Sequence, residues 1–213
     1  MSKKQPKYNI SKSAANLSID SFGPMYNWMF ELFERIQPSR KGLKKMIIQD
    51  TRIEFFRKGE IIQENNKINR QCYFVFKGLV MASYIKDNGE EVTSWFMREN
   101  DVVISVRSFF TQQPSREVII ALEDTICISL SYEFLQKIYG VFTEFNFVGR
   151  VLTEKYYIQM EERAYSLRMD NATQRYNKLL TNHPDILQRV PLKYIASYLG
   201  ITPQSLSRIR RKK

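Results

Sequence analysis

The sequence predicts an α+β chain in three parts: a β-rich domain, a long helix and a C-terminal helix-turn-helix domain. Three observations predict it. Between residues 51 and 130, short runs of β-branched and aromatic residues alternate with turn residues, the pattern of many short strands closed into a sandwich, jelly roll or barrel. From residue 131 onward the apolar spacing changes to three and four residues, which is helical. Finally, residues 190–213 combine an apolar helical face, a glycine, a capping threonine, a proline and a second helix rich in arginine.

Residues 1–20 are polar, with four Lys against one Asp, and read as a mobile basic arm. A β-rich domain with N-terminal helices follows over 21–142. Its first helix covers 21–36, where Phe22, Met25, Trp28, Met29, Leu32, Phe33 and Ile36 share one face. A second helix is expected from Ser39, as N-cap, to residue 48. Strands are expected at 51–56, 60–63, 70–76, 79–86, 91–96, 101–103, 117–122 and 125–129. Lys58-Gly59, Lys77-Gly78, Asp87-Asn88-Gly89 and Glu123-Asp124 mark turns between them.

After a short helix at 132–139, a long helix spans 143–168. Phe145, Gly149, Leu152, Tyr156, Met160, Arg163 and Leu167 fall on one stripe at coiled-coil spacing. That stripe is either a dimer seam or the face packed on its own domain, and periodicity does not choose. The last domain, 169–213, opens with a helix capped by Asp170 or Thr173, ended by His183-Pro184 and followed by a linker at 182–190.

Composition narrows the functional classes. The 213 residues are 43% hydrophobic, enough for one large core or two modest ones. No apolar run approaches the roughly eighteen residues of a membrane helix, and residues 1–6 lack the apolar segment of a secretion signal. A cytoplasmic location without membrane contact is expected. The net charge is +11, and nine Lys/Arg against two Asp lie in 170–213, a concentration suited to phosphate binding. Cys72 and Cys127 sit in apolar runs and read as buried thiols. Two cysteines are too few for an ordinary iron–sulfur cluster. The single histidine, His183, offers neither a haem ligand set nor a metal centre in the β region. A metal-binding cupin enzyme is therefore disfavoured, and no metal or cofactor is expected.

Leu192, Ile195 and Leu199 give the first helix of the C-terminal motif its apolar face, and Ala196 is small enough for a second helix to cross closely. Gly200 supplies the left-handed residue of the turn, and Ile201 fills the angle. Thr202 caps the second helix, Pro203 occupies its first position, and Leu206 and Ile209 anchor it. Its outward face carries Gln204, Ser205, Ser207, Arg208 and Arg211. With Thr202, these are the candidate DNA-binding residues, since arginine bonds guanine bidentately and glutamine bonds adenine.

This arrangement resembles the Crp–Fnr family of bacterial regulators, most closely the branch found in Bacteroidetes-type bacteria. The resemblance rests on Phe56-Arg57-Lys58-Gly59-Glu60, Tyr73-Phe74-Val75-Phe76-Lys77-Gly78, Asp87-Asn88-Gly89-Glu90-Glu91, Ala121-Leu122-Glu123-Asp124 and Val190-Pro191-Leu192 through Leu206-Ser207-Arg208-Ile209-Arg210. It implies a cyclic-nucleotide-binding-type jelly roll, a dimer formed by the long helix through Phe145, Gly149, Leu152, Tyr156 and Met160, and a winged-helix DNA-binding domain. The expected partners are double-stranded DNA, a second copy of the chain and RNA polymerase. An arginine that commonly reads a base in the family is Pro203 here, which leaves Gln204 and Arg208 as base readers.

In cyclic-AMP-responsive members a Gly-Glu pair and an Arg-Ser pair bind the nucleotide. Ile104-Ser105 and Ser115-Arg116 stand at those places. Ser105, Ser115 and Arg116 are thus the candidate pocket residues. With the glutamate absent and the arginine displaced, Ser115 and Arg116 read more readily as loop surface than as ligand contacts, and cyclic AMP is not expected to bind. A nucleotide-binding signalling module without DNA function is the alternative reading.

Overall fold

The computed structural model describes residues 9–10 and 22–211. All eight expected strands form, with ends displaced by no more than two residues: β2 (Arg52–Phe56), β3 (Ile61–Gln63), β4 (Gln71–Lys77), β5 (Val80–Ile85), β6 (Glu91–Met97), β7 (Val102–Val103), β8 (Glu117–Ala121) and β9 (Thr125–Ser131). A further strand, β1 (Asn9–Ile10), pairs in parallel with Arg52 and Ile53. It lies in the expected mobile arm, whose other residues fall outside the described ones.

The strands form two sheets, ordered β1-β2-β9-β4-β7 and β3-β8-β5-β6. Their inner faces share a core in which Phe56, Tyr73, Val75 and Cys127 meet Val80, Met97, Ile119 and Ala121. Because side chains alternate along a strand, Cys72 and Phe74 of β4 point the other way, into a second core under the helices. That core is filled by α1 (Phe22–Glu34), α2 (Lys41–Asp50), α4 (Tyr132–Val141) and the first turns of α5 (Phe145–Met169). The two cysteines are free and face opposite sides of one sheet. Burial pushes the Cys72 thiol up to about 12 and raises that of Cys127 as well, so both stay protonated core groups.

Several local expectations change. The N-cap position of α2 is Arg40, not Ser39, and it makes no side-chain capping bond. A short helix, α3 (Val106–Thr111), was not expected: six residues are too few to show periodicity, and Gln112 ends it in the left-handed conformation at φ 52°. The helix after α5, α6 (Ala172–Asn182), is capped by neither Asp170 nor Thr173. Asn171 caps it through a reciprocal pair with Gln174. The expected linker is a helix, α7 (Pro184–Arg189), because Pro184 occupies its first position, where the missing N–H has no partner to lose.

The stripe assigned to a dimer seam is turned largely toward the chain's own first domain. Phe145 is buried in the helix-covered core, and Leu152 packs on it. Gly149 lies against the Tyr139 ring so closely that a Cβ there would fall 2.2 Å from its hydroxyl. The Tyr156 hydroxyl accepts a bond from the Val102 N–H at 2.7 Å. Of the five, Met160 stays exposed. Intramolecular packing has used this face.

Candidate nucleic-acid interface

The helix-turn-helix consists of α8 (Leu192–Tyr198) and α9 (Pro203–Arg211). Gly200 adopts φ +66°, the Gly200 N–H bonds the Ser197 carbonyl, and the Ile201 N–H bonds the Ala196 carbonyl. This is a Schellman turn, which needs a left-handed residue after the helix. Thr202 then caps α9, accepting from the Ser205 N–H at 3.2 Å and donating to the Ser205 hydroxyl at 3.0 Å. Beneath the turn, Ile195, Ala196, Leu199 and Leu206 are buried with Tyr176, Leu179, Ile186 and Val190. Tertiary burial fixes the crossing of two helices that are each too short to persist alone.

The six candidate DNA-binding residues divide. Gln204, Ser207, Arg208 and Arg211 line a shallow open depression together with Pro203. Thr202 and Ser205 instead spend their hydroxyls on each other and on the cap. Gln204, Arg208 and Arg211 are exposed, and Ser207 is half-buried at their base. The depression offers a cationic, amide-bearing strip of a single helix, the shape and chemistry that a major groove accepts. Among the described residues, no strand follows β9, so the wing is not part of this surface.

The domain carrying α9 is locked to the β-roll, and neither contact was anticipated from sequence. β6 is the outer strand of its sheet. Its Thr93 N–H donates to the Ser197 hydroxyl at 2.9 Å, so α8 covers an edge that would otherwise present unpaired backbone groups. The Arg189 guanidinium forks onto two carboxylates, reaching Glu99 at 2.9 and 3.0 Å and Glu123 at 2.7 and 2.9 Å. These bonds raise the Arg189 pKa, holding the group in its charged form. Burial pushes the Glu99 carboxyl up, but bonds from Arg189 and the Gly78 N–H prevail and leave it below its ordinary value. Arg98 forms a second tie, to Asp185 and to the His183 ring. Leu79, Phe96 and Leu122 of the β-roll complete the core of the C-terminal domain. The polar ties come from His183, α7 and α8, and the apolar core is shared with α6 and the inner face of α9, which leaves the outward face of α9 open.

Ser105 and Ser115 do come together, with hydroxyls 2.9 Å apart. Both are buried. A third group, missed in the sequence, joins them: Glu117, whose carboxylate accepts from the Ser105 hydroxyl at 2.8 Å and from Ser94 at 3.4 Å. Ser115 and Glu117 share one face of the chain by alternation, and Arg116 between them is exposed. The candidate pocket therefore contains the chain's own carboxylate and lacks the arginine. Among the described residues, no group of three or more His, Cys, Asp or Glu is placed to hold a metal, and no helix is long and apolar enough to cross a membrane.

Residues 53–140 match the family of the cyclic nucleotide-binding domain. No curated protein sequence matches the chain. Among solved structures, it is similar to FixK2 from Bradyrhizobium japonicum, with a TM-score of 0.64 and 19% identity over 76% of this chain and 83% of that one. It is similar to CooA from Carboxydothermus hydrogenoformans, at 0.63 and 17% over 85% and 83%. A transcriptional regulator assigned to the crp/fnr family from Eubacterium rectale gives 0.66 and 17% over 82% and 83%. At these identities the likeness establishes the fold, that of the Crp/Fnr regulators.

Proposed function

We propose that this chain, built on the fold of the Crp–Fnr regulators, is a homodimeric transcription regulator that binds double-stranded DNA sequence-specifically through α9. The observation that carries the reading is the strip of Gln204, Ser207, Arg208 and Arg211, which lies open on a helix whose inner face is anchored in the core by Leu206. Arg208 and Gln204 are assigned to base edges and Arg211 to phosphate; Thr202 and Ser205 set the entry angle of the helix. Bound at a promoter, such a dimer would act on RNA polymerase, the further partner that follows from this reading.

Electrophoretic mobility shift on genomic fragments tests it: selective retention of a subset is expected, and retention no better than for random DNA at physiological salt would end the proposal. In the same assay Arg208→Ala is expected to cost about 1–3 kcal/mol on the selected fragment and little on random DNA. Equal losses on both would remove Arg208 from base reading.

The second copy is assigned to the solvent side of α5. Phe147, Val151, Ile158 and Met169 recur there at steps of four, seven and eleven, a seam lying opposite the face that packs on the β-roll. Ile158 and Met169 are 56% and 67% exposed in the single chain. A twofold pairing of this stripe with itself would cover them.

Cyclic AMP is not the effector in this reading. Glu117 would meet the cyclic phosphate charge to charge, and among the described residues no arginine bonds to the Ser105–Ser115–Glu117 cluster. Calorimetry with cyclic AMP up to about 1 mM is expected to give no saturable heat. Saturable binding abolished by Ser105→Ala would reverse this conclusion.

A further inference from the structure

A cleft of about 640 Å³ lies where the β-roll, the second half of α5 and the C-terminal domain meet. Small-molecule sites have volumes of about 300–1,000 Å³ and favour domain interfaces. The cleft is separate from the Ser105–Ser115–Glu117 cluster, none of whose members lines it.

Its charges are unevenly matched. Among the cationic side chains that line it, Arg98 is paired with Asp185, Lys155 with Asp101 at 3.6 Å and Lys178 with Asp170 at 2.6 Å. Arg163 and Arg175 form no salt bridge to a carboxylate among the described residues, although Arg175 lies close enough to Asp170 to help hold its carboxyl below the ordinary value. Arg163 donates to the Tyr198 carbonyl at 2.9 Å, and Arg175 donates to the Leu199 carbonyl at 2.8 Å and to the Asp170 carbonyl at 2.5 Å. A guanidinium carries five N–H donors, so most of theirs remain for another acceptor. Burial works against the charge of Arg163 and, although Tyr198 partly offsets this, the nearby charge of Arg175 adds to the penalty. An anion between the two would relieve it. Arginine forks suit phosphate oxygens in particular.

The same cleft has aromatic walls. Trp95 and Phe96 approach from β6, Tyr165 from α5, and Tyr198 carries the Arg163 guanidinium 3.7 Å from its ring centroid. Glu161 and Glu162 on α5 also line it and would accept bonds from sugar hydroxyls or ring amino groups. A phosphate-binding pair beside flat rings and carboxylates fits a phosphorylated nucleoside.

We infer that this interdomain cleft is an effector site for a nucleotide bearing a terminal, dianionic phosphate, held by Arg163 and Arg175. Its ligand bridges the β-roll, α5 and the DNA-binding domain and stabilises their docked arrangement, because a ligand that binds only the docked state shifts the equilibrium toward it. A cyclic phosphodiester has one negative charge and no terminal phosphate, which separates this site from the β-roll pocket.

Calorimetry on the full chain with 5′-AMP, 5′-GMP, adenosine, inorganic phosphate and cyclic AMP tests the inference without DNA, so its failure leaves the DNA-binding proposal standing. One nucleoside monophosphate is expected to bind one site per chain with Kd below about 100 µM, at least tenfold tighter than phosphate and far tighter than the nucleoside. Arg175→Gln is expected to weaken it about tenfold or more, with partial rescue in Arg175→Lys. Lys178→Gln, on the exposed rim, is expected to lower affinity about two- to fivefold with the fold intact. Absence of saturable heat with either nucleotide at about 1 mM, phosphate binding as tightly as the nucleotides, or nucleotide affinity unchanged in both Arg175→Gln and Lys178→Gln would each overturn it.

Discussion

Replacing Ile158 with glutamate is expected to split the dimer and lower affinity for a two-half-site operator by about 100-fold or more, since linked half-site binding contributes gains of that order. Ile158 projects from the solvent side of α5 and belongs to none of the three cores. The isolated chain should therefore tolerate the change, with helix content and unfolding midpoint preserved. Across a twofold seam, however, each glutamate would meet its own copy, adding like-charge repulsion to the cost of burying two carboxylates. Light scattering reports the oligomer and mobility shift the affinity. Tyr156→Phe is the counterpart on the opposite face: it removes the bond to the Val102 N–H, so stability should fall while the dimer survives. A dimeric Ile158→Glu variant with undiminished affinity would show that the copies meet elsewhere.

The second large effect is expected at Gly78. This residue joins β4 to β5 with φ +113°, a conformation side chains other than glycine's rarely adopt. A Cβ there would lie 2.4 Å from the Thr125 hydroxyl, 2.7 Å from the Thr125 Cα and 2.9 Å from the Asp124 carbonyl. Two of these three atoms are backbone, so no rotamer change relieves the clash. Gly78→Ala is expected to destabilise the fold by about 3 kcal/mol, combining backbone strain and overpacking, as measured by chemical denaturation. The damage should also reach the DNA-binding domain. The Gly78 N–H donates to Glu99, and the 123–125 turn that would be displaced includes Glu123, so both carboxylates that grip Arg189 would move. Increased hydrogen exchange in α7 and α8 relative to α9 would report that loosening. A stability loss below about 1 kcal/mol, within ordinary surface-mutation scatter, would mean that the turn relaxes more freely than its contacts indicate.

The strands and the helix-turn-helix were legible because their signals are local. β5 and β6 are short runs with β-branched and aromatic residues bounded by turn residues a few positions away, and Gly200, Thr202 and Pro203 each do their work within one turn of chain. Where a local signal is short or shared among neighbours, it does not single out one element or one cap. Six residues of α3 could not establish a period, and α6 could have been capped by any of several neighbouring polar residues. On α9, composition picked out Gln204, Ser207, Arg208 and Arg211, which line the open depression, while the bond between Thr202 and Ser205 ties those two hydroxyls to the cap.

The sequence by itself determined that the chain has a β-roll, a long helix and a helix-turn-helix, because hydrophobic period and capping chemistry act over a few residues. Only the tertiary structure decided which face of α5 the β-roll consumes, since two stripes of one helix carry similar apolar content and packing selects between them. It alone decided that Glu117 enters the pocket and that Arg163 and Arg175, among the described residues, spend their bonds on backbone carbonyls and form no salt bridge. It also joined Arg189 to Glu123 and Glu99 across 66 and 90 residues. A charged pair that distant has no spacing rule to announce it; it exists because two packed domains bring the groups within hydrogen-bond reach.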